Sequence, residues 1–437
     1  MTIPAVSADA ILQQAASLLV YQSVLETAIG RSFIELLQAI HRAKRAPTLK
    51  TVGCLRAYGR WFRLLAEQNQ SWQEYLLNQI LQADNPFSQR VQVQALATLP
   101  TGLLQAARQD LQILQRLYWC DGEQLNLWIQ AIAPLPQPMI VWHAPPPAQP
   151  DSIPAQFAAT TDWTEMLPIL APHYQQNGVG LFAQYRAFRW QAGQLVGIAH
   201  PDAPRLDELV GYETQKATLV QNTEFLLSGF PALHVLLYGS RGTGKSSLVK
   251  ALLRQFGDRG LRLIEVSKAE LTALPAIADQ LRAVPQKFIL FVDDLSFEED
   301  EAAYKALKVV MEGHLTARPQ NLVVYATSNR RHLIREFFAD RPAPRDGDEV
   351  HAWDTVQEKL SFSDRFGLTL TFEPANQSTY LQIVQHLAQQ AKITVIPADL
   401  EFRALQWATR HNGRSGRTAR QFIDFLQAEV ALYSQPE

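Results

Sequence analysis

Apolar residues recur every three or four positions from Ser7 to Ala133, as in Leu12, Ala16, Leu19 and Val20 and again in Leu111, Leu114, Leu117 and Tyr118, so several amphipathic helices are expected there. Trp61, Trp72, Trp119 and Trp128 fall in this glutamine-rich stretch and are expected to fill a helical-bundle core rather than cage a ligand. Prolines then gather from Pro134 to Pro154, with Pro145, Pro146 and Pro147 in a row, which reads as a stiff linker. Around 181–198 the aromatic residues Phe182, Tyr185, Phe188 and Trp190 give strand character to a segment expected to dock onto the following domain. From about Leu206 short apolar runs alternate with helical patterns, as in an α/β domain with a mainly parallel sheet. Strands are expected at 234–238, 262–266, 288–292, 322–326 and 368–372, and the chain returns to helix after Pro374. The expected division is an all-α N-terminal domain over 1–133, a proline-rich linker and docking segment over 134–200, an α/β core over 201–374 and a helical segment over 375–437. No repeat of fixed period interrupts this order.

Charge adds little to the picture. With 40 Lys and Arg against 42 Asp and Glu, no global attraction to nucleic acid or membrane follows, and any such contact needs a local patch. Cys54 and Cys120 are the only cysteines and stand far apart, which makes neither a metal cluster nor a disulfide framework and fits a reducing, cytoplasmic setting. Gln13, Gln14 and Glu26 interrupt the first apolar stretch, so neither a signal peptide nor a membrane span is expected.

The chemistry gathers at Gly239 to Ser246, Gly-Ser-Arg-Gly-Thr-Gly-Lys-Ser, directly behind an apolar run and ahead of a helical pattern. This is the GxxxxGK[ST] phosphate loop of nucleotide-binding ATPases and GTPases in its strand-to-helix setting. Three glycines let the backbone curl so that successive N–H groups face phosphate oxygens, and the following helix adds its positive end. Gly239, Ser240, Arg241, Gly242, Thr243, Gly244, Lys245, Ser246 and Ser247 are therefore the expected phosphate-binding set. Within it Lys245 reaches the β and γ phosphates and Ser246 ligates Mg²⁺. The run 288–292 ends in Asp293 and Asp294, at the strand edge where α/β sheets hold ligands. Asp293 suits Mg²⁺, which takes one or two carboxylates plus phosphate oxygens, and Asp294 is the candidate that polarises the attacking water. Thr327, Ser328 and Asn329 end the next strand, where the Asn329 amide reaches the γ phosphate or that water; capping of a following helix is the alternative.

The order of these elements, followed by Asp364-Arg365-Phe366-Gly367 and Gly416-Arg417, resembles the AAA+ ATPases over about residues 201–437. The resemblance implies a P-loop NTPase core with a C-terminal helical lid, ATP and Mg²⁺ as ligands, and a homo-oligomer. It makes Asn329 the sensor 1 residue, Arg365 the arginine finger, and Arg417 the lid's sensor 2, with Arg420 as the alternative. The Asp-Arg-Phe-Gly run is similar to that of the Holliday-junction branch-migration motor. Upstream, the run from Leu206 to Tyr212 resembles the segment that packs on adenine, with Val210, Gly211 and Tyr212 nearest the base. Within the superfamily, the stretches 291–298 and 326–333 are similar to a bacterial family of ATPases designated domain of unknown function 815. The arginines also have a physical rationale, because a guanidinium in a dry site stabilises the charge that spreads over a transferred phosphoryl group.

Three departures bear on function. Most remodelling members carry glutamate where this chain has Asp294, one methylene shorter, so turnover is slow or Glu298 takes the water-orienting role. Between Val266 and Lys287, the helical run from Lys268 to Arg282 has no aromatic residue and no glycine, so a peptide-gripping pore loop is not expected. Arg330, Arg331, Arg335, Arg341 and Arg345 form a basic run, but Asp340, Asp346, Asp348 and Glu349 offset it and favour a subunit contact over nucleic acid. Three functions follow: an oligomeric ATPase driving conformational change in an unknown protein client, an ATP-dependent scaffold or signalling module with negligible hydrolysis, and, least favoured, a nucleic-acid loader or motor.

Overall fold

The computed structural model describes residues 7–45, 47–143, 152–295, 301–312, 319–329, 365–411 and 413–433. The chain divides into two compact units, Met1–Gln184 and Tyr185–Glu437.

The first unit is helical, with its long helices at Ala28–Arg45, Pro47–Gln68 and Thr101–Trp119. Polar side chains cap the start of several of its helices, where backbone N–H groups lack partners. Ser71 and Glu74 form a reciprocal capping box ahead of Trp72–Leu81, and Asp121 accepts from Gln124 N at 3.0 Å ahead of Gly122–Ile132. Phe33 stacks on Trp72 with ring centroids 4.0 Å apart, and Trp61 packs against both in the buried core. Trp119 departs from the expectation and is exposed, because its neighbours Leu117 and Tyr118 take the buried face of the same helix. The carboxylate of Asp110 is buried and accepts from Leu19 N, Val20 N and Tyr21 N at 2.7 to 3.0 Å, tying the turn after the first helix. Such charge-assisted bonds make the burial tolerable.

The linker and docking segment expected over 134–200 is divided differently. Helices Ile153–Ala159 and Leu167–Asn177 belong to the first unit, because Phe157, Trp163, Leu170 and Tyr174 are buried in its core. The later part enters a sheet as β1 (Ala187–Gln191) and β2 (Gln194–Ile198), a hairpin whose turn residues Ala192 and Gly193 have φ of 51° and 81°. Two left-handed residues are what a tight hairpin turn demands.

In the second unit β3 (Val235–Gly239), β4 (Leu261–Glu265), β5 (Lys287–Val292), β6 (Leu322–Ser328) and β7 (Leu368–Phe372) join that hairpin in one seven-stranded sheet of order β2-β1-β4-β5-β6-β3-β7. Every pairing is parallel except β1 with β2. β5 after its first residue and all of β6 are buried, as in a parallel sheet covered on both faces. Because β3 lies between β6 and β7, the carboxyl ends of β3, β5 and β6 come together along one edge, where such sheets bind ligands. The C-terminal helices Gln377–Gln390, Pro397–Arg410 and Gly416–Tyr433 pack on Tyr380, Val384, Ala404, Phe422 and Leu426. The α/β core, the helical lid and the preceding helical region are thus the expected fold class.

Candidate functional site

The loop from Gly239 to Gly244 turns β3 into the helix Lys245–Phe256 through three glycines with positive φ, 143° at Gly239, 79° at Gly242 and 88° at Gly244. Glycine is needed at the first two for space as well. A Cβ on Gly239 would lie 2.0 Å from Phe372 O, and one on Gly242 would lie 2.8 Å from Ser415 Oγ. The loop is bound at both ends: Ser240 N donates to Phe372 O at 3.3 Å, and Arg417 N donates to Gly242 O at 3.4 Å. The second bond joins the loop to the start of the lid helix Gly416–Tyr433. Lys245 is buried, and its Nζ donates to Gly239 O at 2.8 Å and Ser240 O at 2.7 Å, with Asn329 Oδ1 farther off at 3.5 Å. Burial lowers the pKa of this ammonium from the ordinary lysine value, and the carboxylates of Asp293 and Asp294 act in the opposite sense.

Parallel register delivers the acidic groups. Val292 lies opposite Ala326, so the next residues, Asp293 and Thr327, stand side by side. Thr327 Oγ1 donates to Asp293 Oδ1 at 2.5 Å and accepts from Asp294 N at 2.9 Å. Ser246 Oγ donates to Asp293 Oδ1 at 2.6 Å, which brings the phosphate-loop hydroxyl and the strand-end carboxylate together. Asp294 has a φ of 52°, and its Oδ1 accepts from Asn329 Nδ2 at 2.7 Å. A left-handed non-glycine residue costs about 1–2 kcal/mol, least for Asp and Asn, so these bonds hold a conformation that the turn alone disfavours.

A cavity of about 590 Å³ collects these groups. Its lining includes Val210, Gly211 and Tyr212, the loop residues from Arg241 to Ser247, Asp293, Asp294, Thr327, Asn329, Arg417 and Arg420. Both candidate lid arginines therefore face it. Gly239 and Ser240 contribute backbone carbonyls to Lys245 without lining the cavity. Arg365 is half-buried just ahead of β7 and does not line it. Glu298, Asp364 and the arginines from 330 to 345 lie outside the described residues. Gly211 and Tyr212 have φ of 86° and 59°, and the Tyr212 hydroxyl donates to Glu373 O between β7 and the lid.

Several lining residues were not anticipated: Lys216, and Ile383 and Leu387 from the first lid helix. Ile383 and Leu387 stand four apart on one helical face, a spacing that cannot distinguish a ligand wall from ordinary core. Lys216 Nζ donates to Leu209 O, and a single lysine in a helical pattern carries no signal of that. The donor set fits a Mg²⁺ ion, since Ser246 and Asp293 supply two adjacent oxygens and the ion prefers phosphate and water for the rest. No group of three or more His, Cys, Asp or Glu that could hold a metal ion occurs among the described residues.

The family model described as "Protein of unknown function (DUF815)" matches residues 183–430. Solved structures with similarity include a Thermotoga maritima RuvB point mutant, 18% identical over 53% of this chain and 68% of that one, with a TM-score of 0.39. Another is the Thermotoga maritima RuvB Holliday junction branch migration motor, 16% identical over 51% of this chain and 71% of that one, with a TM-score of 0.33. No curated protein matches. Among the described residues no helix is long and apolar enough to cross a membrane.

Proposed function

We propose, for a chain that belongs to the DUF815 family and has the phosphate-loop core and helical lid of an AAA+ ATPase, that it binds Mg-ATP in the cavity beside β3 and hydrolyses it as a homo-oligomer. The observation that carries the reading is the meeting of Ser246 Oγ and Asp293 Oδ1 at 2.6 Å beside buried Lys245, which brings the end of the phosphate loop and the end of β5 together. Lys245 exchanges its loop carbonyls for the β and γ phosphates, and Ser246 and Asp293 hold the cation. When bound, Mg²⁺ neutralises charge on the phosphate oxygens. Asp294 orients the attacking water, and Asn329, already bonded to it, fixes that carboxylate and senses the γ phosphate. Arg417 or Arg420 draws the lid onto the nucleotide, and the lid's motion is passed to an unknown protein client. Val210, Gly211 and Tyr212 pack on the base. Arg365 acts on a neighbouring copy, a role supported by its position outside the cavity of its own chain.

Purified protein should release phosphate from ATP, with specific activity rising with protein concentration. Lys245→Ala should lose nucleotide binding, and unchanged ATP affinity in that variant removes the assignment. Arg365→Ala should keep binding and lose turnover by about a thousandfold. Full activity in it defeats the finger role. A second reading, a scaffold or signalling module that binds ATP with negligible hydrolysis, is favoured by the short reach of Asp294, whose carboxylate is engaged by Asn329. Phosphate release that stays at background across all concentrations, with ATP binding intact, selects that reading.

A further inference from the structure

We infer that Thr327 is a positioning residue that aims both strand-end carboxylates into the nucleotide cavity, an inference that rests on the Mg-ATP reading above. Consecutive residues of an extended strand point to opposite faces. Asp293 and Asp294 nevertheless both line the same cavity. The break in alternation is the left-handed conformation of Asp294, with φ of 52°. Thr327 holds that turn from the neighbouring strand through both of its polar ends. Its Oγ1 accepts from Asp294 N at 2.9 Å, and its carbonyl accepts from Leu295 N at 2.7 Å.

The same hydroxyl fixes Asp293. A hydroxyl has one proton, and with the Asp294 N–H already directed at its oxygen, that proton goes to Asp293 Oδ1 at 2.5 Å. Ser246 Oγ donates to the same oxygen, and among the described residues no hydrogen bond falls on Oδ2. Asp293 thus keeps acceptor capacity for a cation or its water while Thr327 prevents the carboxylate from turning away. Thr327 borders the cavity but is only 2% exposed, and both hydrogen bonds of its hydroxyl are made to protein groups. Valine would match its volume and branch point and supply neither bond. Thr327 never needs to touch the nucleotide for this; it acts through Asp293 and Asp294.

The test uses the full chain with Thr327→Val and Thr327→Ser, a fluorescent ATP analogue titrated in EDTA and against Mg²⁺, and steady-state phosphate release. Thr327→Val should leave metal-free nucleotide affinity within about twofold, raise the half-saturating Mg²⁺ concentration about tenfold and lower kcat by about tenfold to a hundredfold. Thr327→Ser, which keeps the hydroxyl, should stay within about threefold of the parent in every readout. Wild-type Mg²⁺ dependence and turnover in Thr327→Val overturn the inference, as does a Ser variant that is properly folded yet impaired in Mg²⁺ dependence. Should Thr327→Val misfold, the Ser variant alone decides by the same limits. If the parent protein itself binds no Mg-ATP, the functional reading falls and this inference falls with it; if the parent turns over and Thr327→Val matches it, only the role of Thr327 falls.

Discussion

Asn329 donates its amide to the carboxylate of Asp294 at 2.7 Å, so the residue after β6 is held against the turn after β5. The other end of the same amide, Oδ1, lies 3.5 Å from Lys245 Nζ. One side chain therefore spans the gap between the group expected to hold phosphate and the group expected to direct water.

Asn329→Ala removes that span without touching the loop backbone. It should lower kcat by about tenfold to a hundredfold and leave ATP affinity within about threefold, the pattern of a bond that matters in the transition state. Equilibrium binding and steady-state kinetics on one preparation check it, and an unaltered kcat would remove Asn329 from the mechanism.

Gly242→Ala tests the junction of loop and lid. Its φ of 79° makes any side chain strained, and the new Cβ would also press on Ser415 Oγ at 2.8 Å. Gly413→Ala is the matched control, with a φ of 86° and nothing within 4 Å of the added atom. Both variants should lose about 1 kcal/mol or more of stability from backbone strain. Only Gly242→Ala should also weaken ATP binding and raise hydrogen exchange at the start of the last lid helix. Equal effects in the two would show that the loop and lid are not coupled there.

The lowered pKa of Lys245 gives a pH dependence of definite sign. Burial penalises the ammonium in the folded state, so the ligand-free protein bears a cost at neutral pH that fades as pH rises through the folded pKa towards the ordinary lysine value. Lys245→Met should therefore raise the thermal midpoint at neutral pH and gain less in alkali. ATP needs the ammonium, so its affinity should fall as pH rises through the lowered pKa, with proton uptake on binding. Calorimetry in two buffers of different ionisation enthalpy measures that uptake, and a flat affinity across the alkaline range contradicts it.

Asp110→Ala addresses the first unit. The buried carboxylate accepts from three consecutive backbone N–H groups, and its removal leaves them without partners. A loss of about 2–5 kcal/mol is expected in urea unfolding followed by tryptophan emission. A change below about 0.5 kcal/mol would mean that the turn finds other partners.

The strands that hold the site were legible because their apolar runs are short, buried and bounded by polar breaks, and the phosphate loop because only glycine meets its backbone demands. Asp293 and Asn329 could be placed on strand ends for the same reason. What stayed hidden depends on pairing between distant segments. Thr327 reads as one more polar residue until register sets it beside Asp293, and Ser415 carries no signal of its own until the lid meets Gly242. The strand character of β1 and β2 is legible in Phe188 and Trp190, but their place in the sheet is not, because it rests on the pairing of β1 with the distant β4.

That hairpin dictates where the chain can be cut. β1 pairs with β4 through Ala187, Phe188 and Arg189, so a fragment beginning at residue 201 would strip two strands and leave an open row of peptide groups along β4, a template for aggregation. A fragment beginning at Tyr185 keeps the row covered. Size-exclusion profiles of the two fragments should separate a dispersed species from an aggregating one, which makes the hairpin a built-in guard for the sheet's flank rather than a tether.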